Sequence, residues 1–109
     1  MKPGLSPAGE KIRRPAVAGA FYPGDSEALS RELADMLEQT VEAAPAPAFP
    51  KVVIVPHAGY IYSGPVAASA YDRLRPARGI ATRVVLLGPA HRVPVLDLAL
   101  PGATAFDTP

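Results

Sequence analysis

The chain lacks cysteine and tryptophan, and only 6% of its 109 residues are aromatic. Without cysteine, disulfide scaffolds, thiolate catalysis and cysteine-built zinc sites are excluded within these residues. Eleven Lys and Arg residues against ten Asp and Glu give a net charge of +1, which indicates neither a nucleic-acid partner nor an anionic membrane. No apolar run approaches the roughly 20 residues that span a bilayer, and residues 1–4 do not begin a secretory signal. We therefore expect a cytoplasmic protein that binds neither nucleic acid nor membranes.

Proline and glycine, by contrast, are abundant, with 14 and 9 copies. They separate short apolar runs, a pattern that favours short elements joined by tight loops. Residues 1–15 show no hydrophobic periodicity and predict a flexible N-terminal arm. Residues 16–109 then have the length of one modest domain.

One amphipathic helix is predicted from about residue 26. Asp25 or Ser26 can serve as its N-cap, and Glu27 in the first turn complements the helix dipole. Apolar residues then recur with the 3.6-residue period of a helix and define its buried face, which comprises Leu29, Leu33, Met36, Leu37 and Val41. A proline-rich connector over residues 43–50 ends the helix.

Two continuous aliphatic runs, residues 51–56 and 83–89, predict strands that are buried on both faces. Between them a second helix is predicted to begin near Ser63 or Gly64, with Pro65 as its first helical residue. Strand, helix and strand in this order indicate a βαβ unit with parallel, adjacent strands.

A third short strand is predicted within residues 95–100, before a turn at residues 101–102. The predicted fold class is therefore α/β, as a partial three-layer αβα arrangement around a parallel sheet. Because two or three strands rarely cover both faces of such a sheet, we expect this chain to be the N-terminal part of a longer, truncated domain.

The two histidines of the chain follow the two predicted strands. His57 comes directly after the first, and His91 comes two residues after the second. Adjacent strands lie ~4.8 Å apart, and open α/β sheets bind ligands beyond the carboxyl ends of their strands. We therefore expect both imidazoles to converge on one metal ion, either iron, zinc or copper. A solvated or hydrogen-bonded histidine is the alternative at each position, and the sequence does not place Asp97 or Asp107 as a third ligand.

Aromatic residues are expected beside His57. Tyr60 and Tyr62 would point the same way from an extended loop, and Phe21 and Tyr22 precede a rigid Pro-Gly turn. The resulting cleft would suit an aromatic or phosphorylated aromatic ligand. The alternative is that these rings belong to the core.

Three further residues have two interpretations each. Ser63 could pair with His57 as nucleophile and base, but no orienting acid is evident and a capping role for the second helix is favoured. Arg92, beside His91, can pair with a phosphate, whereas a solvated loop arginine is the ordinary alternative. Tyr71, on the second helix, is expected in the core.

Four segments, in this order, resemble the Memo-like family, whose bacterial and archaeal members are often called AmmeMemoRadiSam system protein B. The similarity runs from about Arg14 to the last residue, and its most specific block is PHAGY-x-YSG. The segments are AGAFYP at 18–23, PHAGYIYSG at 56–64, LGPAH at 87–91 and FDTP at 106–109.

The resemblance implies an α/β fold like that of class III extradiol dioxygenases, which use a non-haem metal. It also implies that His57 and His91 match two metal-site positions, while the family's third ligand is a cysteine that this chain lacks. Phe21, Tyr22 and Tyr62 match cleft positions, where the animal member is associated with phosphotyrosine peptides.

Three departures from the family pattern are evident. Ala90 and Arg92 flank His91 where relatives often carry Ser or Asn and another His. The family domain is more than twice as long as this chain, and Phe21 stands where the animal member has tryptophan. The leading hypothesis is a fragment of a metal-binding protein, with iron the expected metal. A complete version, if catalytic, would be a non-haem metal-dependent oxidoreductase of the dioxygenase type acting on a small molecule, and the fragment alone would be inactive. The alternative is a non-catalytic module that binds phosphotyrosine-type or peptide ligands.

Overall fold

The structure, a computed structural model, describes residue 9, residues 11–40 and residues 48–109. It divides into two compact units. One comprises residues 1–16 and 85–108, and the other comprises residues 17–84 with Pro109. No helix in the described ranges is long and apolar enough to cross a membrane. The regular elements are β1 at Ile12–Arg13, α1 at Ser26–Glu38, α2 at Tyr60–Asp72, a 3₁₀ turn at Arg75–Ala77 and β2 at Ala105–Phe106.

Helix α1 forms where the sequence predicts it, because its signals are local. The Asp25 side chain accepts a hydrogen bond from the Ala28 backbone N–H at 2.8 Å and caps the first turn. Leu29 is buried, whereas Leu33 on the same predicted face is exposed. The helix ends at Glu38. Two parts of the sequence prediction, Val41 on the apolar face and residues 43–47 of the connector, lie outside the described residues.

We expect Asp25→Ala to lower the free energy of unfolding by about 1 kcal/mol, because the Ala28 N–H loses its partner. Urea denaturation followed by the helical circular dichroism signal measures this change. Ser30→Ala, at an exposed position of the same helix, is the matched control and should stay within about 0.5 kcal/mol of the parent chain. Equal losses in the two variants would contradict the capping role.

Helix α2 begins at Tyr60, with Gly59 as its N-cap, so the predicted start at Ser63 or Gly64 is wrong. The Gly59 carbonyl accepts the N–H groups of Tyr62 and Ser63 at 2.9 and 3.0 Å. Because the helix starts earlier than predicted, Pro65 lies inside it and not at its first position. A proline there removes the hydrogen bond that would reach the carbonyl of Ile61. The earlier start prevails because contacts outside the helix hold its first turn, as the site geometry below shows.

Helices α1 and α2 pack against each other where α2 has small residues. Gly64 and Ala68 are buried on α2. A Cβ atom added at Gly64 would overlap the Met36 sulfur of α1. A side chain at Gly64 would therefore displace the flexible end of Met36, and glycine favours the close contact of the two helices.

The end of α2 is fixed by a second contact to α1. Arg75 pairs with Asp72, and its guanidinium also donates to the Leu37 carbonyl at 3.2 Å. The hydrogen bond from Arg75 lowers the pKa of the Asp72 carboxyl below its usual range. Tyr71, predicted to be in the core, is 46% exposed on this helix.

The sheet of this protein is a parallel pair of two-residue strands. Ile12 of β1 lies opposite Ala105 of β2, and Arg13 lies opposite Phe106. The Arg13 guanidinium stacks over the Phe106 ring at 5.9 Å from the ring centroid, a favourable cation–π geometry. The last residues of the predicted N-terminal arm thus form β1, while residues 1–8 and 10 of that arm lie outside the described residues.

The three predicted strands do not form. Residues 51–56, 83–89 and 95–100 have no regular secondary structure. Ile54 is 93% exposed, Leu86 is 85% exposed and Leu96 is fully exposed. A strand needs hydrogen bonds to a neighbouring strand, and β1 and β2 are the only strands within the described ranges. The mixed α/β class with a parallel sheet is confirmed. The predicted βαβ unit is wrong, because the sheet is formed by β1 and β2 and not by the two aliphatic runs.

Candidate functional site

The loop before α1 holds Phe21 and Tyr22 in a fixed backbone conformation. The Val17 carbonyl accepts the N–H groups of Ala20 and Phe21 at 3.1 and 2.9 Å, and the Gly19 N–H donates to the Tyr22 carbonyl at 2.7 Å. Gly19 has a φ of +80°, which favours glycine because a side chain would be strained there. The loop therefore presents two adjacent aromatic residues at one defined place.

This loop contacts the segment that follows His57. The Tyr60 N–H, at the start of α2, donates to the Phe21 carbonyl at 2.8 Å. Gly59 is buried beneath the contact, and a Cβ atom there would lie 3.4 Å from the Phe21 carbonyl oxygen. The hydrogen bond satisfies one of the N–H groups that a helix leaves without a partner in its first turn.

A second contact anchors the same segment from inside the helix. The Ser63 hydroxyl oxygen accepts the Ala58 backbone N–H at 2.9 Å. Ser63 is only 6% exposed. Its burial disfavours the nucleophile that the sequence left open. The predicted capping role is wrong as well, because Gly59 is the N-cap without a side-chain cap hydrogen bond, and the Ala58 N–H that Ser63 accepts lies before the helix.

The aromatic residues do not form one wall. Tyr22 and Tyr60 stack with ring centroids 5.7 Å apart and planes tilted by 40°, and Phe21 beside them is 48% exposed. Tyr62, predicted to point the same way as Tyr60, is 81% exposed. Both tyrosines lie in a helix, where residues two apart point to different sides. The prediction from an extended loop is therefore wrong for Tyr62.

Burial changes the acidity of the Tyr60 phenol. Desolvation is the main cause that raises its pKa, and the neighbouring Tyr22, Glu32 and Tyr71 add to it. Each effect disfavours the phenolate. Tyr60 therefore keeps its proton at neutral pH.

His57 and His91 lie in different units of the chain. His57 is exposed, directly before Ala58 in the anchored segment, and His91 is exposed in the other unit together with Arg92. Neither follows a formed strand. Their convergence on one metal ion stays a prediction.

The carboxylates considered as third ligands have ordinary surroundings. Asp107 lies 3.8 Å from the Arg14 guanidinium, and Asp97 is exposed. In the described part of the chain, no group of three or more His, Asp and Glu residues could hold a metal ion. The residues present fit a metal through their imidazole nitrogens, which are good donors for iron, zinc and copper, but only as part of a larger ligand set.

Sequence reasoning identified the aromatic residues and His57 but missed the two contacts that hold their backbone. The contact to the Phe21 carbonyl had no local signal, because it joins residues 39 positions apart. The contact to Ser63 was missed because the sequence placed the start of α2 at Ser63 or Gly64, whereas Ser63 lies inside the helix.

Comparisons with known proteins agree on one family. The model of the Memo-like protein family matches residues 13–109. A MEMO1 family protein of Aquifex aeolicus is 39% identical over 104 residues, covering 91% of this chain and 34% of the relative. One of Methanothermobacter thermautotrophicus is 44% identical over 103 residues, covering 90% and 37%.

The similarity extends to animals. Protein MEMO1 of Danio rerio is 39% identical over 97 residues, covering 89% of this chain and 31% of the relative. The chain thus spans about a third of the length of these curated relatives. No solved structure matches it significantly. On the family match and the identities together, this chain belongs to the Memo-like family.

Proposed function

We propose that this chain contributes His57 and His91 to the non-haem metal site of a Memo-like protein. The observation that carries the proposal is the anchoring of the segment beside His57. Ala58 is held by the Ser63 hydroxyl and Tyr60 by the Phe21 carbonyl, while His57 itself is exposed. A ligand residue on a fixed backbone loses little freedom when it binds, which favours metal affinity.

The donor set defines what the site can take. Neutral imidazole suits iron, copper and zinc, and iron is the metal that the resemblance favours. When bound, such a metal supplies Lewis-acid or redox chemistry at its open positions. The described residues hold no set of three ligands, and the family resemblance implies a cysteine, which this chain lacks, as the third ligand.

Aromatic residues define the surroundings of His57. Phe21 and the paired Tyr22 and Tyr60 rings give an aromatic surface to the segment that follows His57. The Tyr60 phenol, with its raised pKa, is a hydrogen-bond donor at neutral pH and not an anion. If catalytic, a complete protein of the family would bring oxidation chemistry to a small molecule at such a site, whereas this chain alone would bind without turnover.

Copper(II) titration of the 109-residue chain tests the proposal. Paramagnetic Cu²⁺ broadens nuclear magnetic resonance signals near its binding site, and the chain has two histidines whose ring protons are easily assigned. We expect both imidazole signals to broaden together at Cu²⁺ levels well below one equivalent. Mg²⁺, which prefers oxygen ligands, is the control and should change neither signal. Broadening of one histidine alone, or of neither, would reject a shared site.

A specific observation supports the alternative, a binding module for phosphotyrosine-type or peptide ligands. The Phe21 ring is half exposed beside the Tyr22–Tyr60 stack and could stack on an aromatic ligand. Under this alternative, phosphotyrosine shifts the Phe21 ring signals in metal-free protein. Arg92→Ala should then weaken binding about 3- to 10-fold by removing a charge-assisted phosphate contact. Arg78→Ala, at another exposed arginine, serves as control, and equal effects of the two variants would contradict a specific phosphate contact.

A further inference from the structure

Ser63 is a buried polar residue that the proposed metal chemistry does not use. It is 6% exposed, and its hydroxyl oxygen accepts the Ala58 N–H at 2.9 Å. We infer that Ser63 is a positioning residue, which fixes the backbone direction from which the His57 side chain leaves. The inference deepens the proposed function and rests on it only for the role of His57 in metal binding.

The covalent geometry explains how Ser63 acts on His57. The Ala58 N–H belongs to the same planar peptide unit as the His57 carbonyl. A hydrogen bond that fixes the direction of this N–H therefore fixes the plane of the peptide and restricts the ψ angle of His57. The Cα–Cβ bond of His57 therefore starts from a defined place.

Two contacts share this task. The Tyr60 N–H bond to the Phe21 carbonyl, 2.8 Å long, holds the far end of the segment. The Ser63 bond holds the end next to His57, and only Gly59 lies between the two anchored N–H groups. Without Ser63, the first turn of α2 would remain attached to Phe21 while the His57–Ala58 peptide could rotate.

Serine suits this position for steric and chemical reasons. Alanine would remove the acceptor and leave the Ala58 N–H without its protein partner, whereas cysteine offers sulfur, which is only a weak acceptor. The chain also provides a matched control on the same helix. The Ser69 hydroxyl donates to the Pro65 carbonyl at 3.1 Å at an exposed site, remote in sequence from His57.

The experiment compares Ser63→Ala, Ser63→Cys and Ser69→Ala in the metal-free 109-residue chain. Backbone relaxation gives the order parameter of the His57 N–H, and hydrogen exchange gives the protection of the Ala58 amide. Ser63→Ala should raise Ala58 exchange roughly 3- to 10-fold, the ratio that one hydrogen bond of typical net strength represents, and should lower the His57 order parameter. Ser63→Cys should give an intermediate result, and Ser69→Ala should change neither value. Cu²⁺ affinity should fall by a similar factor in Ser63→Ala and stay unchanged in Ser69→Ala, while Ser63→Cys is left out of this measurement because its thiol would bind copper.

The outcomes separate this inference from the proposed function. Unchanged Ala58 exchange and His57 order in both Ser63 variants would overturn the positioning role, whatever the metal result. Should Ser63→Ala fail to fold, as judged by circular dichroism, the Ser63→Cys comparison decides in its place. Absence of Cu²⁺ binding to the parent chain would overturn the proposed function, while a mobile His57 in the Ser63 variants would still support the positioning of its backbone.

Discussion

Replacing His57 and His91 together by alanine should lower the Cu²⁺ affinity of the chain by about 100-fold or more. The chain contains no cysteine and two histidines, so these imidazoles are its strongest ligands for copper. Mutating a residue that hydrogen-bonds to a metal ligand typically lowers metal affinity roughly 10- to 100-fold. Removing the ligands themselves should lower the affinity at least as much. Isothermal titration calorimetry at pH 7 measures the change.

The single variants identify how the two histidines act. If both bind one ion, His57→Ala and His91→Ala should each remove most of the affinity, because one remaining imidazole binds weakly. Asp97→Ala changes an exposed carboxylate and serves as the control, with no expected effect. Full affinity in the double variant would refute the site, and a large loss in Asp97→Ala would identify that carboxylate as a ligand.

Gly64→Leu should destabilise the pair of helices by about 2–3 kcal/mol. A Cβ atom at Gly64 already overlaps the Met36 sulfur and would lie 3.5 Å from the Tyr60 Cβ, so a leucine side chain must displace the Met36 side chain from the contact between α1 and α2. Overpacking of this kind costs about 1–3 kcal/mol, which lowers the melting temperature of a domain of this size by about 4–8 °C per kcal/mol. Leucine is a good helix former, so the loss would not reflect helix propensity.

Two further variants test the cause. Ser69→Leu places the same side chain at an exposed position of α2 and should cost less than about 0.5 kcal/mol. Gly64→Leu combined with Met36→Ala should be less destabilised than the two single changes predict, because the truncated methionine makes room. Additive losses would show that the close approach at Gly64 is not the reason.

The predicted strands show where sequence patterns stop being sufficient. Residues 52–55 and 84–87 are continuous aliphatic runs rich in valine and isoleucine, the β-branched residues that favour β structure. This composition is typical of a strand whose faces are buried, but it does not say which other segments would pair with the strand and bury it. Val52 and Val85 are 78% and 84% exposed, because no formed strand in the described ranges pairs with these runs.

The aromatic site was predictable in part. The sequence predicts that Phe21 and Tyr22 lie near Tyr60, and in the structure the Tyr22 ring contacts the Tyr60 ring. The direction of Tyr62 depended on whether its segment is extended or helical. The segment is helical because two contacts hold its start. The Tyr60 N–H bonds to the Phe21 carbonyl, far away in the sequence, and the Ala58 N–H bonds to the Ser63 hydroxyl inside the helix.

The sequence by itself determined α1, a cap at Asp25 or Ser26 and the membership of the family, because capping and helical periodicity act within a few residues and the family motifs are contiguous blocks. Only the tertiary structure decided where α2 begins, which tyrosine joins the aromatic stack and which residue of the first β segment pairs with Phe106. The physical reason is the range of the interactions. A helix satisfies its own backbone, whereas a strand, a helix start held from outside and a ring stack each need a partner from elsewhere in the chain.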